Sequence, residues 1–289
     1  MSYKMPTKAI ITDAGFASRF LPITKTIPKA MLPIGSKPVM QLVVEECIAA
    51  GITEIIIVAT EEGKPIYEDY FTNPAEKIEK LLTSQGKSDR FQPIKDLLNF
   101  PKITVITQDP SLPYGNGSPI ASAKSFINDD EAFIALYSDD LVLGEGAVSA
   151  LIEEYKKRPD ANAIIAVQTV EGKEIEKYAA PELSETGELI RLVEKPKLEE
   201  APSLQASYGR YLLTPTIFKY LIPRNTGKDA ELWAADAIDK VAKNDKKVYI
   251  TEAKGTWVTT GDPKNYLAAL VQNALSDPKF KEYLKEVSK

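Results

Sequence analysis

Short apolar segments alternate with amphipathic ones through the first 170 residues of the chain. The segments KAIIT, EIIIVA, ITVIT, FIALY and AIIAVQT have the length and the Ile/Val content of buried strands. Between them, apolar positions recur at helical spacing over 37–50, 118–126 and 147–157. Because strands that alternate with helices form sheets covered on both faces, we predict a three-layer α/β fold with a Rossmann-like mixed, mostly parallel sheet.

Two regions depart from this alternation. Residues 61–101 carry charged helical segments, which we interpret as an inserted helical hairpin. After residue 170, the segments LIRLVEKP, ASYGRYLLT and KKVYITEA predict strands that extend the sheet, with a helix over 229–243 between the last two.

The chain ends in two predicted helices, over 264–275 and 278–287. We therefore divide it into one domain over 1–262 and a C-terminal helical appendage over 263–289. The amphipathic tail would suit a contact between subunits, although packing on its own domain is an equal alternative. We expect a homo-oligomer.

Composition limits the chemistry and the partners. The 289 residues have a formal net charge of -5, include no histidine and contain one cysteine, so His-based triads, His-ligated zinc and disulfides within the chain are excluded. The absence of a broad basic stretch argues against nucleic acid as a partner. No apolar run approaches the roughly 20 residues of a membrane span, and the N-terminus lacks a signal core, so we expect a cytoplasmic protein without a membrane partner.

A glycine turn with spaced cations follows the first predicted strand, in TDAGFASRFLPITKTIPKAMLP. Gly15 would let the backbone turn tightly and approach an anion, and Arg19 and Lys29 could neutralise a triphosphate. The alternative is an ordinary strand-to-helix connection with solvated cations, which is the commoner meaning of an isolated glycine loop.

Three more segments place polar groups after predicted strands. FIALYSDDL puts Asp139 and Asp140 where carboxylates suit magnesium, or where they would cap the next helix. YGNG offers backbone groups to a base or sugar beside Gln108, or forms a surface turn. LVEKPK offers Glu194 to sugar hydroxyls and Lys195 to a phosphate, or is a solvated turn.

The order of these segments resembles that of the bacterial and archaeal UTP:glucose-1-phosphate uridylyltransferases, members of the sugar-1-phosphate nucleotidyltransferase family. The resemblance covers nearly the whole chain, and its most specific block begins AGFASRFLPITKTIPKAMLPIGSKPVM and continues through EIIIV. It implies a magnesium-dependent reaction in which an oxygen of glucose 1-phosphate attacks the α-phosphorus of UTP in line, giving UDP-glucose and pyrophosphate. Such a reaction needs positioning and charge neutralisation more than a protein nucleophile, so a chain without histidine can perform it.

The resemblance also implies roles for single residues. They are Arg19 and Lys29 for the triphosphate, Ala14, Gly15 and Ser18 for the nucleotide, Gln108 and Gly115 for uracil, Asp139 for magnesium, and Glu194, Lys195 and Gly209 for the sugar and its phosphate.

Four positions depart from the family pattern at the phosphates and the metal. Ala17 and Ser18 stand in GFASR where the family has glycine and threonine, and alanine would cost about 1 kcal/mol if the position needs positive φ. Thr259 stands where the family has an aspartate that binds metal. We hypothesise that Asp13 partly replaces that ligand; the alternative is that Asp13 accepts hydrogen bonds from backbone N–H groups and shapes the turn.

Trp233 and Pro119 also depart from the pattern, near the expected pocket, and leave the nucleotide and the hexose open. Besides uridylyl transfer to glucose 1-phosphate, we consider the same chemistry with another nucleotide or hexose 1-phosphate. A third function is that of a weakly active or inactive paralogue that binds nucleotide sugar and regulates a partner. The retained cations favour an active enzyme, because losing triphosphate neutralisation is the simplest way to lose catalysis.

Overall fold

The computed structural model describes residues 3–276 and 278–287. The strands are β1 (Lys8–Asp13), β2 (Pro33–Ile34), β3 (Lys37–Pro38), β4 (Glu54–Ala59), β5 (Lys102–Thr107), β6 (Phe133–Tyr137), β7 (Asp140–Leu143), β8 (Ala163–Thr169), β9 (Ala179–Leu183), β10 (Leu189–Glu194), β11 (Gln205–Leu213), β12 (Val248–Glu252) and β13 (Thr256–Thr259). The α-helices are α1 (Val39–Ala49), α2 (Lys64–Thr72), α3 (Glu76–Ser84), α4 (Gln92–Leu98), α5 (Gly117–Ser122), α6 (Ala147–Lys157), α7 (Ala234–Asn244), α8 (Pro263–Ser276) and α9 (Pro278–Val287). Within the described residues, no helix combines the length and the apolar character that crossing a membrane requires.

The central sheet is mixed, with a parallel centre. Strand β1 pairs in parallel with β4 and β6, and β4 pairs in parallel with β5. Strand β11 runs antiparallel to β6, β8 and β9. Strand β10 then pairs with β9, and β12 pairs with β8, at the far side of the sheet. The predicted parallel sheet and its later extension are both confirmed.

Two apolar cores cover the two faces of this sheet. Side chains alternate along β1, so that Ala9 and Ile11 enter one core and Ile10 enters the other. Helices α1 and α6 contribute to the first core, and α5 and α7 contribute to the second. The three-layer prediction is therefore confirmed. Cys47 is buried in the first core, as its apolar neighbours indicate.

The insert over 61–101 differs from the predicted hairpin. It contains α2, α3 and α4 rather than two helices. Helix α2 buries Tyr67 and Phe71 and connects the parallel strands β4 and β5, whereas α3 buries no side chain. Because parallel neighbours need a crossover, α2 belongs to the layer that covers the sheet, and only the remainder is an addition.

One predicted helix begins later than expected, and one predicted strand is irregular in its interior. The helix predicted over 229–243 begins at Ala234, because Asp229 and Ala230 have φ angles of 60° and 58°, which a right-handed helix does not allow. Strand β11 is irregular between Ser207 and Tyr211, and Gly209 has a φ of 69° at that point.

The first C-terminal helix packs on the domain along one face only. The ring of Tyr266 meets Phe20 edge to face, with 6.0 Å between the ring centroids. The opposite face of α8 exposes Leu267, Val271 and Leu275, at a spacing of four residues. The two alternatives for the tail are therefore compatible, since one face packs inward and the other stays open.

Candidate active site

The carboxyl ends of the parallel strands meet at one edge of the sheet. Asp13 ends β1, Gln108 follows β5 and Asp139 follows β6. Two adjoining cavities lie there, of about 330 Å³ and about 600 Å³. Both are lined by Arg19, Asn116, Tyr137, Asp139 and Trp233, so they form one cleft with a smaller and a larger half.

The smaller half brings together most of the predicted nucleotide residues. Its lining includes Ala14, Gly15, Lys29, Gln108 and Gly115 besides the shared residues. Ser18 is exposed and is not among the residues that line either half.

The larger half contains the predicted sugar residues. Glu194, Lys195 and Gly209 line it together with an aromatic wall formed by Tyr137, Tyr178, Tyr208, Tyr211 and Trp233. Lys195 has a φ of 46°, an unusual conformation for a lysine, and functional sites are where such backbone strain concentrates. A side chain at Gly209 would collide with the ring of Tyr137, so glycine is required here by packing within the protein.

In the glycine turn after β1, Ala17 has a positive φ. This is the condition under which we expected alanine to carry a cost. Ala17 has φ 46° and ψ 40°, in the left-handed region, so its Cβ carries a cost of about 1 kcal/mol. The hydroxyl of Thr24 donates to the carbonyl of Ala17 at 3.0 Å and helps to hold the turn. The turn therefore keeps its shape without glycine at this position.

Lys29 and Asp139 form an ion pair in the smaller half of the cleft. The Nζ of Lys29 lies 2.5 Å from Oδ2 of Asp139, and the two side chains remain 18% and 24% exposed. Burial opposes both charges, but the Lys29 ammonium lowers the pKa of Asp139, and Asp139 and Asp13 raise the pKa of Lys29. Both groups are charged at neutral pH, and both face the cleft.

Asp13 is buried and also lines the smaller half of the cleft. Its carboxylate accepts hydrogen bonds from the hydroxyl of Tyr67 and, at 2.7 Å, from the hydroxyl of Ser138. Burial raises the pKa of Asp13 against the opposing effect of Lys29. Both of these donors are side-chain hydroxyls, whereas the alternative for Asp13 expected backbone N–H groups.

Asp140, which follows Asp139 in the chain, is buried and holds a neighbouring side chain. Its Oδ1 accepts a hydrogen bond from Nε1 of Trp257 at 2.8 Å, and the residue is only 7% exposed. Burial and the nearby charge of Asp139 raise the pKa of Asp140 to about 7. Thr259 reaches the carbonyl of Asp139 with its hydroxyl at 3.4 Å, so the position that lacks a carboxylate lies directly beside Asp139.

A family model of nucleotidyl transferases matches residues 8–275 of the chain. The chain belongs to the nucleotidyl transferase family. Among curated relatives of this nucleotidyl transferase, UTP–glucose-1-phosphate uridylyltransferase 2 of Staphylococcus saprophyticus is 38% identical over 98% of the chain and 96% of the relative. The UTP–glucose-1-phosphate uridylyltransferase of Staphylococcus epidermidis is 36% identical, with 96% of each sequence covered.

Solved structures match this nucleotidyl transferase over its length. A UDP-glucose pyrophosphorylase complexed with UDP-glucose has a TM-score of 0.80 and 32% identity, and the match covers 94% of this chain and 100% of that one. A UTP-bound enzyme of the same type from Acinetobacter baumannii has a TM-score of 0.85 and 28% identity, with 98% of each chain covered.

From the sequence we did not identify Arg210, a buried arginine that binds the backbone of residues lining this nucleotidyl transferase site. Arg210 has no exposed surface, and its guanidinium contacts Oε2 of Glu46 at 3.1 Å. It also donates to the carbonyls of Tyr137 at 2.9 Å, Gly209 at 3.2 Å and Asp140. Two of these carbonyls flank Asp139 in the chain. An arginine within an apolar strand, as in SYGRYLL, was the available signal, because such a charge must find buried partners.

Proposed function

We propose that this chain transfers a uridylyl group from UTP to glucose 1-phosphate, with UDP-glucose and pyrophosphate as products. The observation that carries the proposal is the divided cleft, whose halves meet at Arg19 and Asp139. A nucleotide in the smaller half and a sugar phosphate in the larger half would bring their phosphates together at this boundary. Relatives that carry this activity in their names span nearly the full chain.

The cations that line the two halves suit the phosphates of both substrates. An oxygen of the sugar phosphate attacks the α-phosphorus of UTP, and the bond to pyrophosphate breaks. We assign Arg19 and Lys29 to the triphosphate and Lys195 to the sugar phosphate, because each lines the cleft with a cationic side chain. Their contribution is to neutralise and align groups that repel each other.

The rest of each half would recognise the remainder of its substrate. We assign Gln108 and Gly115 to the uracil, with Ala14 and Gly15 beside the phosphates, and Glu194 and Gly209 to the sugar. Ser18 is exposed, so its contribution would require the turn to close on the nucleotide.

The carboxylates suit a magnesium ion that arrives with the nucleotide. Within the described residues, no cluster of three or more acidic or thiol side chains is present that could hold a metal by itself. Magnesium binds through one or two carboxylates together with water and substrate phosphates, and Asp139 faces the cleft as one such carboxylate. The ion would supply positive charge at the phosphates.

We retain Asp13 as a second carboxylate that supports the metal, and its contacts suggest a test. Each of its carboxylate oxygens accepts one hydrogen bond from a hydroxyl and retains a further lone pair, and the residue lines the smaller half. Replacing Asp13 by Asn should raise the magnesium concentration needed for half-maximal activity by roughly tenfold. An unchanged requirement in a folded, active Asp13→Asn variant would remove Asp13 from the metal site.

The function is tested by pyrophosphate release from the purified protein across UTP, dTTP, ATP and GTP with several hexose 1-phosphates, with and without magnesium. We expect release only with both substrates present, and fastest with UTP and glucose 1-phosphate. Should another pair be preferred, the chemistry stands and the substrate assignment changes. If no pair reacts while a UDP-sugar still raises thermal stability, the protein is a binding paralogue.

We also propose that the protein acts in the cytoplasm as a homo-oligomer of this chain. The exposed apolar face of α8, with Phe280 and Tyr283 exposed on α9, supports self-association. Sedimentation of the wild type should give a mass above 31.9 kDa, and Val271→Glu should reduce it. A wild type that sediments as a monomer at all concentrations would contradict the oligomer.

A further inference from the structure

The segment around Trp233 is fixed against the turn that follows β5. The N–H of Leu232 donates to the carbonyl of Tyr114 at 2.7 Å, and the N–H of Gly117 donates to the carbonyl of Leu232 at 2.8 Å. The N–H of Ala234 donates to Oδ1 of Asn116 at 2.8 Å. These bonds hold both neighbours of Trp233, so the indole is presented from a rigid backbone.

The glycines of the YGNG turn serve this contact. Gly115 has a φ of 132°, and a Cβ there would collide with the backbone of Leu232. A Cβ on Gly117 would lie 2.9 Å from the carbonyl oxygen of Leu232, which is closer than real contacts of this kind. The turn therefore has glycine because the two backbones approach each other closely, and this approach sets the position of Trp233.

Trp233 stands at the wall shared by the two halves of the cleft, and Lys195 lies on it. The Nζ of Lys195 is 4.1 Å from the centroid of the Trp233 ring. The same ammonium is 3.8 Å from Oε1 of Glu194. Because the main chain of Lys195 is also fixed, by its N–H donating to the carbonyl of Tyr178 at 3.1 Å, both ends of the side chain are positioned.

We propose that Trp233 is a positioning residue for glucose 1-phosphate, because its indole face holds the Lys195 ammonium at the boundary where the sugar phosphate must lie. An ammonium has three donors, so one side can rest on the ring while another donates to a phosphate oxygen. The contact keeps a flexible side chain in its binding geometry before the substrate arrives. The inference rests on the proposed function, since it gives Lys195 the sugar phosphate as its ligand.

The kinetic test uses Trp233→Leu, which keeps an apolar side chain but removes the ring. The KM for glucose 1-phosphate should rise about tenfold, the size of a partly desolvated cation–π contact, while the KM for UTP changes less than about twofold. Trp233→Phe should recover part of the loss. In a Lys195→Met background the substitution at Trp233 should have little further effect, because the partner is already gone.

A matched control removes a similar contact far from the cleft. The guanidinium carbon of Arg158 lies 4.0 Å from the centroid of the Tyr249 ring. Tyr249→Leu should leave both KM values unchanged. Equal effects of Trp233→Leu on both substrates, or full additivity with Lys195→Met, would overturn the positioning role.

A second arm reads the contact without any turnover. The chain has two tryptophans, so Trp257→Phe leaves Trp233 as the sole source of tryptophan emission. Adding Lys195→Met to that variant should change the emission of the ligand-free protein, and identical spectra would overturn the inference. If the wild type forms no product but the spectra still differ, the proposed function fails while the contact itself stands, so the two failures are distinguishable.

Discussion

Two ion pairs lie at the same edge of the sheet and differ in what surrounds them. Lys29 and Asp139 face the cleft, retain 18% and 24% exposure, and meet through a single contact of 2.5 Å. Arg210 is fully buried with Glu46 beside it at 8% exposure, and the guanidinium also donates to three backbone carbonyls. Under the proposed function, the first pair would exchange partners when phosphates and a cation arrive, whereas the second holds the backbone on both sides of Asp139.

The pairs also differ in what a lost partner leaves behind. Water and substrate can reach Lys29 and Asp139, so a missing partner there is replaced in part by solvent. Arg210 and Glu46 have no such substitute, and a lone buried charge is costly. Residues in the cleft should therefore affect rate, and residues of the buried pair should affect stability first.

The largest expected effect is on turnover in Lys29→Met. Under the proposed function, the variant loses a cation at the triphosphate and leaves Asp139 without its partner, so kcat should fall by roughly three orders of magnitude, or about 4 kcal/mol. Steady-state UDP-glucose formation measures this. Lys37→Met is the control, because Lys37 pairs with Glu45 at 2.9 Å outside the cleft; it should keep most of the activity. Similar rates in both variants would show that the cleft-facing pair has no special role.

The next effect is on the free energy of unfolding in Arg210→Met, which should fall by about 3 kcal/mol because Glu46 is left buried and unpaired. Chemical denaturation measures it. The control is Lys8→Met, since Lys8 pairs with Glu131 at 2.6 Å near the opposite edge of the sheet, where both side chains are similarly buried at 13% and 8% exposure.

Lys8→Met should also destabilise, but its folded form should keep its kcat. The milder Arg210→Lys should lower kcat in the folded protein at low temperature, because the carbonyls on both sides of Asp139 lose donors. Unchanged kcat in folded Arg210→Lys would restrict Arg210 to a structural role.

A smaller effect is expected from adding charge to the cleft-facing pair. Thr259→Asp places a carboxylate beside Asp139, where Thr259 now reaches the carbonyl of Asp139. The magnesium concentration for half-maximal activity should fall about tenfold. The control is Thr259→Asn, which adds a polar side chain without charge at the same position. It should leave the magnesium requirement unchanged. An equal fall in both variants would mean that charge is not the cause.

The smallest effect is expected at Ala17, in the glycine turn that follows β1. Ala17→Gly should raise stability by less than about 1 kcal/mol, since relief of the left-handed strain is partly offset by the greater freedom of glycine in the unfolded chain. Ala75 has the same backbone, with φ 47° against 46° for Ala17, and lies in the insert. Ala75→Gly should match the stability change but leave the KM for UTP unaltered. If the KM for UTP changed equally in both variants, the turn at Ala17 would have no specific role in binding the nucleotide.

The parallel centre of the sheet could be predicted because its strands are continuous Ile/Val runs, buried on both faces. Strand β9 was missed, since AAPEL is short, contains proline and shows no alternation. The crossover role of α2 was missed because its charged exposed face matched the rest of the insert.

The position of candidate site residues could be predicted where they follow strands in order, as with Asp139 and Gln108, because parallel topology brings those ends together. Contacts between distant segments could not. Arg210 and Glu46 are 164 residues apart, and nothing local indicates that a glutamate in VVEEC faces inward. The partners of Asp13 lie 54 and 125 residues away, so nothing local in the sequence indicates the hydroxyls that donate to it.

The most direct measurement identifies, by mass spectrometry, the product of a reaction that contains UTP, carbon-labelled glucose 1-phosphate and magnesium. The account predicts labelled UDP-glucose, with one pyrophosphate released for each product, in the wild type and in Lys37→Met, and almost none in Lys29→Met. A wild type that binds UDP-glucose but forms no labelled product, or a Lys29→Met variant as fast as the wild type, would contradict it.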